Sequence, residues 1–378
     1  MKILMPFWQL DKFDRYVPQM RAISERIDEF HIAYVKGEVV EEWRKYFILH
    51  KIDLPCSFIK SIALRCWLTK GEIYEQLRHV DVDLYYTLSD FWSQEVARHM
   101  ALKSFKPYVV RLRGDHKATR KAKKVAYFKR KILGHYEVRS LRDADLIIPI
   151  SYKLADVAKQ WGVDEGKITE PVLLGINARQ FKPINAKKSS DKFTIGYAGR
   201  ISPEKGIDRL VELARKLSDL QFLVAGRKEM KVDFPDNVDY KGELPFSEMS
   251  YFYNQSDIIV IPFNINTEGM GLLLLEAYAC GKPILTISEA FSPKFNGKVE
   301  MVDAGGHELK VFGRVGRFED LPSLIDELKK SDVKSIGKLA RAYVQRTFSW
   351  EKFGETVTNC LKILCSERDA SKENLNRR

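Results

Sequence analysis

The chain has 378 residues, which predicts two domains of ordinary size, and 45% of its residues are hydrophobic, as in globular proteins with an ample core. Its five cysteines are scattered and form no Cys-x-x-Cys pair, which argues against a disulfide framework and against structural zinc. The N-terminal segment becomes charged too early for a signal peptide, and no run of about 18 apolar residues occurs. We therefore expect a cytoplasmic protein.

The net charge of +12 is concentrated in one stretch. Residues 101–150 contain 14 Lys and Arg against 4 Asp and Glu, whereas the rest of the chain is nearly balanced. Within it, residues 117–142 mix cations with apolar side chains, which predicts a basic helix that docks on an anionic membrane surface. The alternative is a solvated helical face. We expect no nucleic acid partner, because no nucleic-acid-binding motif accompanies the charge.

The first half of the chain alternates predicted strands and helices. The predicted strands are residues 2–8, 30–35, 84–88, 108–114 and 143–151. Helices are predicted over residues 14–30, across the aromatic-rich region 41–80, over 117–142 and over 153–161. Asp81 and Asp83 have the spacing of a metal motif, but they precede a strand instead of following one. We therefore predict a helix-to-strand turn there.

The second half alternates in the same way, which predicts a parallel sheet with right-handed crossovers. The predicted strands are residues 193–198, 221–225, 238–241, 258–263 and 284–287. The predicted helices are residues 208–217, 247–254, 272–280, 321–330 and 335–346. Within residues 289–318 we expect a mobile loop and an extra hairpin.

Two cations follow the predicted strand 193–198. Gly199 ends this strand, and Arg200 and Lys205 lie on the exposed loop that leads to the next helix. Two cations from one such loop suit a diphosphate, because Arg offers a planar fork of donors and Lys a point charge. Two unrelated surface cations are the alternative.

A second polar loop, residues 266–271, leads directly into the apolar helix 272–280. Gly269 and Gly271 have no Cβ, and the first N–H groups of a helix are unpaired, so an anionic ligand could approach this backbone closely. Glu268 and Glu276 are carboxylates in an apolar segment and therefore need partners. A solvated helix position is the alternative for Glu276.

These motifs together resemble the donor half of a known enzyme family. The pattern Gly-Arg…Glu-Lys-Gly, followed by two glutamates eight positions apart, resembles family 4 (group 1) retaining glycosyltransferases with the GT-B fold, and the similarity extends through residues 262–285. It implies an α/β protein with two Rossmann-like domains that face each other across a cleft. The implied parts are an acceptor-binding domain (1–184), a nucleotide-sugar-binding domain (185–350), a helix crossing back to the first domain (351–366) and a disordered tail (367–378).

The resemblance also assigns roles to residues. Arg200 and Lys205 would bind the diphosphate, Glu276 the ribose hydroxyls and Glu268 a hydroxyl of the donor sugar, while His116 at the end of strand 108–114 would face that sugar. An exposed loop histidine is the alternative for His116. The implied catalytic residues are Arg200, Lys205, Glu268 and His116. The implied nucleotide-sugar-binding residues are Gly199, Arg200, Lys205, Arg227, Leu244, Glu268, Gly269, Met270, Gly271, Leu272 and Glu276.

The resemblance implies retaining transfer of a sugar from a nucleotide-diphosphate sugar to an acceptor. The expected acceptor is a sugar or a lipid-linked or otherwise anionic molecule, and the basic segment 117–142 favours a peripheral place on the inner face of the membrane. We expect no cofactor and no metal, because two cations and a helix end already neutralise the diphosphate. Residues 9–15 follow the first strand without a glycine, unlike many family members. A sugar-nucleotide epimerase on the same fold and a non-catalytic membrane- or polyanion-binding protein are the alternatives.

Overall fold

The structure is a computed structural model, and it describes residues 1–55, 62–88, 90–122, 124–188, 190–262, 272–287, 291–295, 299–303, 308–310 and 312–376. The chain divides into two compact units. The first consists of Met1–Lys117, Ala126–Gly175 and the chain from Trp350 onward, and the second of Ala118–Val125 and Ile176–Ser349. None of the described helices has the length and apolar character needed to cross a bilayer.

The chain up to residue 175 builds one six-stranded sheet. Its strands are β1 (Lys2–Pro6), β2 (Glu29–Tyr34), β3 (Ile48–Lys51), β4 (Leu84–Leu88), β5 (Tyr108–Leu112) and β6 (Leu146–Pro149). The helices are α1 (Val17–Ser24), α2 (Ile62–Leu68), α3 (Lys70–Leu77), α4 (Phe91–Ser104), α5 (His116–Ala122), α6 (Tyr127–Arg142) and α7 (Tyr152–Gln160). All strand pairs are parallel, in the order β3-β2-β1-β4-β5-β6.

The chain from residue 176 builds a second six-stranded sheet and a small three-stranded sheet, and it ends in a long helix. The strands are β7 (Thr194–Ala198), β8 (Gln221–Ala225), β9 (Val238–Tyr240), β10 (Ile258–Ile261), β11 (Ile284–Ile287), β12 (Phe291–Phe295), β13 (Val299–Asp303), β14 (Glu308–Lys310) and β15 (Gly313–Gly316). The helices are α8 (Ile207–Lys216), α9 (Met249–Asn254), α10 (Leu272–Ala279), α11 (Leu321–Lys330), α12 (Val333–Thr347) and α13 (Trp350–Asn376).

The second sheet repeats the topology of the first. Its strands are parallel and ordered β9-β8-β7-β10-β11-β15. When the strands of each sheet are numbered from one along the chain, both orders read 3-2-1-4-5-6, which is the Rossmann order. In this order the direction of winding reverses between β1 and β4 in the first sheet and between β7 and β10 in the second. The central strands are buried on both faces, as parallel sheets covered by helices require. The predicted α/β class with two Rossmann-like sheets is confirmed.

Two short edge strands were not predicted. Strand β3 lies in the region 41–80, for which we predicted only helices, and β15 lies within 289–318. Both are four residues long and form the last strand on one side of their sheet, so their sequences lack the buried apolar run of a central strand. The extra hairpin predicted in 289–318 is present as β12, β13 and β14, which form an antiparallel sheet.

The basic segment 117–142 is two helices, so the prediction of one continuous helix was wrong. Helix α5 ends at Ala122, and α6 begins at Tyr127. Between them Lys124 has a left-handed backbone with φ of 51°, which a continuing α-helix does not allow. Among the described residues of the segment, the large apolar side chains that are exposed, Tyr127, Phe128 and Ile132, lie in α6.

The C-terminal helix runs further than expected. We predicted a disordered tail from residue 367, but α13 continues to Asn376. Arg368 explains part of this extension, because its Nη2 donates to the carbonyl oxygen of Phe105 at 3.2 Å and its Nη1 lies 3.6 Å from Asp145 Oδ1. The helix packs on α1, where Gly354 lies against the backbone of Ala22.

Candidate functional site

The site predicted from the sequence lies where the second sheet reverses its winding. Strands β7 and β10 are neighbours there, and both run toward the same edge. The loop after β7 carries Arg200 and Lys205, and the chain after β10 leads into α10 with Glu276. Ligands of open α/β sheets bind outside the carboxyl ends of the strands at this reversal. The topology therefore brings two stretches that are far apart in sequence to one edge.

Backbone hydrogen bonds join the loops after β7, β8 and β9. Gly199 N donates to Ala225 O at 2.9 Å, and Gly226 N donates to Gly242 O at 2.7 Å. Gly226 has φ of 143°, and a Cβ at this position would collide with the carbonyl oxygen of Gly199. Only glycine allows so close an approach. This framework fixes the predicted residues Gly199 and Arg227 relative to one another, and the predicted Leu244 follows Gly242 by two residues.

Arg200 is held by carboxylates. Its Nη1 donates to Glu204 Oε1 at 2.8 Å and to Glu229 Oε2 at 3.3 Å, and its side chain is 29% exposed. Its carbonyl oxygen accepts a hydrogen bond at 2.9 Å from the hydroxyl of Tyr197, which is buried. The guanidinium is therefore oriented before any ligand arrives. Sequence reasoning did not identify Glu229, which follows a different strand.

Lys205 is not the exposed cation that we expected. It is the last residue of the short 3-10 turn Pro203–Lys205, and only 8% of its surface is exposed. Gly206 follows with a left-handed backbone, ends the 3-10 turn and is the N-cap residue of α8. A cation shielded from water interacts more strongly with an anionic ligand than a solvated one. Burial therefore favours the predicted role of Lys205 as a diphosphate ligand. It also means that a substitution of Lys205 should affect the stability of the fold.

Glu276 has the partner that a carboxylate in an apolar helix requires. It lies in α10 with 8% of its surface exposed, and its Oε2 accepts a hydrogen bond at 2.6 Å from the hydroxyl of Tyr253 in α9. Burial, and then the Glu276 carboxylate, raise the pKa of Tyr253 well above its usual value, so the phenol keeps its proton. The solvated alternative for Glu276 is wrong. Tyr253 was missed, since nothing in its local sequence distinguishes it from a core tyrosine.

Several predicted residues fall outside the described part of the chain. Glu268, Gly269, Met270 and Gly271 all belong to this group. Leu272, the next residue, is the first of α10 and is partly buried. The predicted contacts of these residues with a donor sugar and its diphosphate stay predictions.

His116 belongs to the first unit and is the first residue of α5, directly after β5. Its Nε2 is buried and has no hydrogen-bond partner among the residues that the structure describes. The neighbouring strand β4 leads to Asp90, which caps α4 by accepting from Ser93 N at 3.0 Å. Burial raises the pKa of Asp90, while the nearby His116 acts in the opposite direction. Sequence reasoning missed Asp90, although an aspartate between a strand and a helix is a recognisable cap.

Asp81 and Asp83 have structural partners. Asp83 Oδ2 accepts from Lys2 N at 2.7 Å, and Asp81 lies 3.5 Å from the Nζ of Lys106. Both precede β4, at the edge of the sheet opposite to the carboxyl ends. Across the described ranges, no three His, Cys, Asp or Glu side chains come together in a way that could hold a metal ion.

Comparison with known proteins agrees with this geometry. Residues 178–299 match the family model described as glycosyl transferases group 1. A GDP-mannose-dependent monoacylated alpha-(1-6)-phosphatidylinositol monomannoside mannosyltransferase of Corynebacterium glutamicum is 24% identical over 216 residues, which cover 50% of this chain and 54% of that protein. A D-inositol 3-phosphate glycosyltransferase of Mycobacterium bovis is 23% identical over 263 residues, covering 63% of this chain and 52% of that protein. The chain thus spans about half the length of the curated relatives that it matches.

The fold extends further than the sequence similarity. A sucrose-phosphate synthase from Thermosynechococcus elongatus superposes with a TM-score of 0.74 over 97% of this chain and 100% of that one, at 16% identity. This likeness confirms the GT-B fold. Together with the family match, it confirms the resemblance read from the motifs: this chain carries a group 1 glycosyltransferase segment in residues 178–299.

Proposed function

We propose that the protein is a retaining glycosyltransferase that moves a sugar from a nucleotide-diphosphate sugar to an anionic, membrane-associated acceptor. The observation that carries the proposal is the meeting of the β7 loop and helix α10 at the reversal of the second sheet. This edge presents an oriented guanidinium, a buried ammonium and a buried carboxylate. The three groups match a diphosphate and a ribose.

The chemistry assigned to these groups is electrostatic. Arg200 and Lys205 bind the diphosphate and stabilise the negative charge that grows on it as the bond to the sugar breaks, an effect worth a few kcal/mol per donor. Glu276 accepts hydrogen bonds from the ribose hydroxyls, and Tyr253 keeps its carboxylate in place. The retaining outcome and the independence from metal rest on the resemblance and on the two cations.

The choice of acceptor is supported by the surface of α6 and by the substrates named for the relatives. Tyr127, Phe128 and Ile132 are 63%, 77% and 57% exposed near the start of α6, beside Lys129 and Lys131. Exposed apolar side chains among cations are typical of segments that dip into an anionic bilayer surface. The two curated relatives are named for a phosphatidylinositol mannoside and for an inositol phosphate, both anionic. We call residues 127–132 the α6 patch.

Donor binding is tested by thermal unfolding with a panel of UDP-, GDP-, ADP- and dTDP-sugars. A ligand at about 100 times its dissociation constant adds about 2.7 kcal/mol to the free energy of unfolding. The stabilising donor is then incubated with vesicles that contain phosphatidylinositol, and labelled lipid is measured. NMR of the product reports its anomeric configuration. Interconversion of the donor sugar without any acceptor would identify an epimerase instead, and no response to any donor would contradict the proposal.

Membrane docking is tested by co-sedimentation with vesicles of phosphatidylcholine alone or with anionic phosphatidylglycerol. We expect binding only to the anionic vesicles, and weakening as salt rises, because charges are screened over about 8 Å at 0.15 M. Phe128→Ser with Ile132→Ser should abolish binding. Ile363→Ser and Leu339→Ser are the controls, since these apolar side chains on α13 and α12 are also exposed, by 57% and 61%. Equal binding by the double variant and the unchanged protein would show that the α6 patch is not the docking site. No binding by the unchanged protein at any salt would leave the basic face as a solvated surface.

A further inference from the structure

Two acidic side chains lie against Arg200, and the proposed donor chemistry uses neither. Glu204 is fully buried and holds the guanidinium at 2.8 Å. Glu229 is 20% exposed and approaches the same Nη1 at 3.3 Å. A buried carboxylate and a partly exposed one on the same nitrogen differ in their access to an incoming ligand, so they can play different roles.

Glu229 also binds a second cation. Its Oε1 accepts from Arg227 Nη2 at 2.7 Å, and this hydrogen bond raises the pKa of Arg227. Glu229 therefore bridges two guanidiniums that belong to the loops after β7 and β8. Its backbone is fixed as well, because Glu229 N donates to Ile201 O at 3.0 Å and Ile201 N donates to Arg227 O at 2.9 Å. The bridge is thus held in place by the framework of the site.

A carboxylate and a phosphate compete for the same donors. Both accept charge-assisted hydrogen bonds from guanidinium groups, and Arg binds either with its planar fork. A diphosphate that reaches Arg200 must share its N–H groups with Glu229 or replace Glu229 there. Whether or not Glu229 is displaced from Arg200, its negative charge stays close to the ligand and repels the diphosphate.

We propose that Glu229 is a placeholder anion for the donor diphosphate. It bridges Arg200 and Arg227 while the site is free, gives way to the diphosphate, and lowers the affinity for nucleotide so that the nucleoside diphosphate product leaves. This inference rests on the proposed function. Glu204, which is buried, keeps its hydrogen bond throughout and is a positioning residue that orients Arg200.

The test is calorimetric titration with UDP, GDP, ADP and dTDP in buffer containing EDTA, at low and at physiological salt. Glu229→Gln should bind the nucleoside diphosphate preferred by the unchanged protein about fivefold more tightly, since one charge near 4 Å in water is worth about 1 kcal/mol. The gain should shrink as salt rises. Stopped-flow release of that nucleotide should be slower by a similar factor. Glu229→Ala removes the same charge without adding an amide and should behave alike.

Two further variants separate the role of Glu229 from that of Glu204. Glu204→Gln should weaken nucleotide binding, because the guanidinium loses the anion that orients it. Glu212→Gln breaks a surface ion pair with Lys216 in α8 and should leave binding unchanged. Unchanged or weaker binding by both Glu229 variants would overturn the inference and leave the proposed function standing. Failure of the unchanged protein to bind any nucleoside diphosphate would overturn both.

Discussion

Arg200 and Lys205 are both tied to the fold, and this shapes the first prediction. Arg200 is partly exposed but pairs with the buried Glu204, and Lys205 is itself buried. Arg200→Ala should lower kcat/KM by about two orders of magnitude, on the scale of about 2.7 kcal/mol for a lost charge-stabilising donor. It should also lower stability, because the buried Glu204 carboxylate loses its hydrogen bond from Arg200. Lys205→Met, which keeps the apolar stem, should lower kcat/KM similarly and also shift the unfolding midpoint.

The matched control for these variants is Lys192→Ala. Lys192 is an exposed cation of the same unit, but it precedes β7, whereas Arg200 follows it. Initial rates with varied donor concentration and urea unfolding separate activity from stability. Wild-type turnover by the Arg200→Ala variant would remove the diphosphate assignment.

Tyr253 and Glu276 form the second residue-scale pair. Tyr253→Phe leaves a buried carboxylate with one hydrogen bond fewer, which should cost about 1–3 kcal/mol of stability. The KM for the donor should rise while kcat changes less, because a ribose contact is nearly constant between ground state and transition state. Glu276→Gln should shift KM in the same direction. A collapse of kcat at constant donor KM would instead assign Glu276 to the transition state.

At the scale of elements, the packing of α13 on α1 depends on one glycine. A Cβ at Gly354 would collide with the carbonyl oxygen of Ala22. Gly354→Ala should therefore push the helices apart and destabilise the protein by about 1–3 kcal/mol in chemical unfolding. Gly71→Ala in α3 is the control, since nothing lies within 4 Å of its Cβ position. That change should be neutral or stabilising by up to about 1 kcal/mol, and equal destabilisation by both would contradict the packing argument.

The pairing of β2 with β3 makes stability depend on pH. His31 Nδ1 and His50 Nε2 lie 2.9 Å apart, and burial, followed by the charges of His31 and His79, lowers the pKa of His50 below its ordinary 6.5. The unfolded chain therefore binds this proton more readily than the folded one. The contribution of His50 is complete above pH 6.5 and is lost as pH falls through the lowered pKa.

Urea unfolding between pH 7.5 and pH 5 measures this loss of stability, because the range spans the ordinary histidine pKa of about 6.5. His50→Gln cannot be protonated there and should reduce the loss of stability on acidification relative to the unchanged protein. His135→Gln is the control, because His135 is exposed on α6. Identical pH profiles for the His50 variant and the unchanged protein would contradict the assignment.

At the scale of the whole molecule, transfer should not require a metal ion. The two cations of the β7 loop and the first turn of α10 are expected to neutralise the diphosphate. Activity should persist after dialysis against EDTA, measured as sugar transfer with the preferred donor. Mn²⁺ added back should give no large increase. Loss of activity in EDTA that Mn²⁺ or Mg²⁺ restores would contradict metal independence.

The sequence is enough to predict the alternation of elements, because buried central strands and amphipathic helices leave local patterns with their own periods. It also located the loop of Arg200 and Lys205 and the helix of Glu276, since a polar or glycine-rich stretch after an apolar strand is a local feature. From these, the fold class and the family followed. The short edge strands β3 and β15 could not be predicted from the sequence, because a strand paired on one side needs no long apolar run.

Contacts between side chains from different elements could not be predicted from the sequence. Tyr253 contacts Glu276 from another helix, and Glu229 reaches Arg200 from the loop after another strand. Lys205 is buried although its local sequence predicts an exposed loop, and the break between α5 and α6 coincides with the left-handed backbone of Lys124. A local pattern specifies an element and its exposed face. The partner of each polar side chain is set by the order of strands in the sheet, which brings residues distant in sequence within hydrogen-bonding distance.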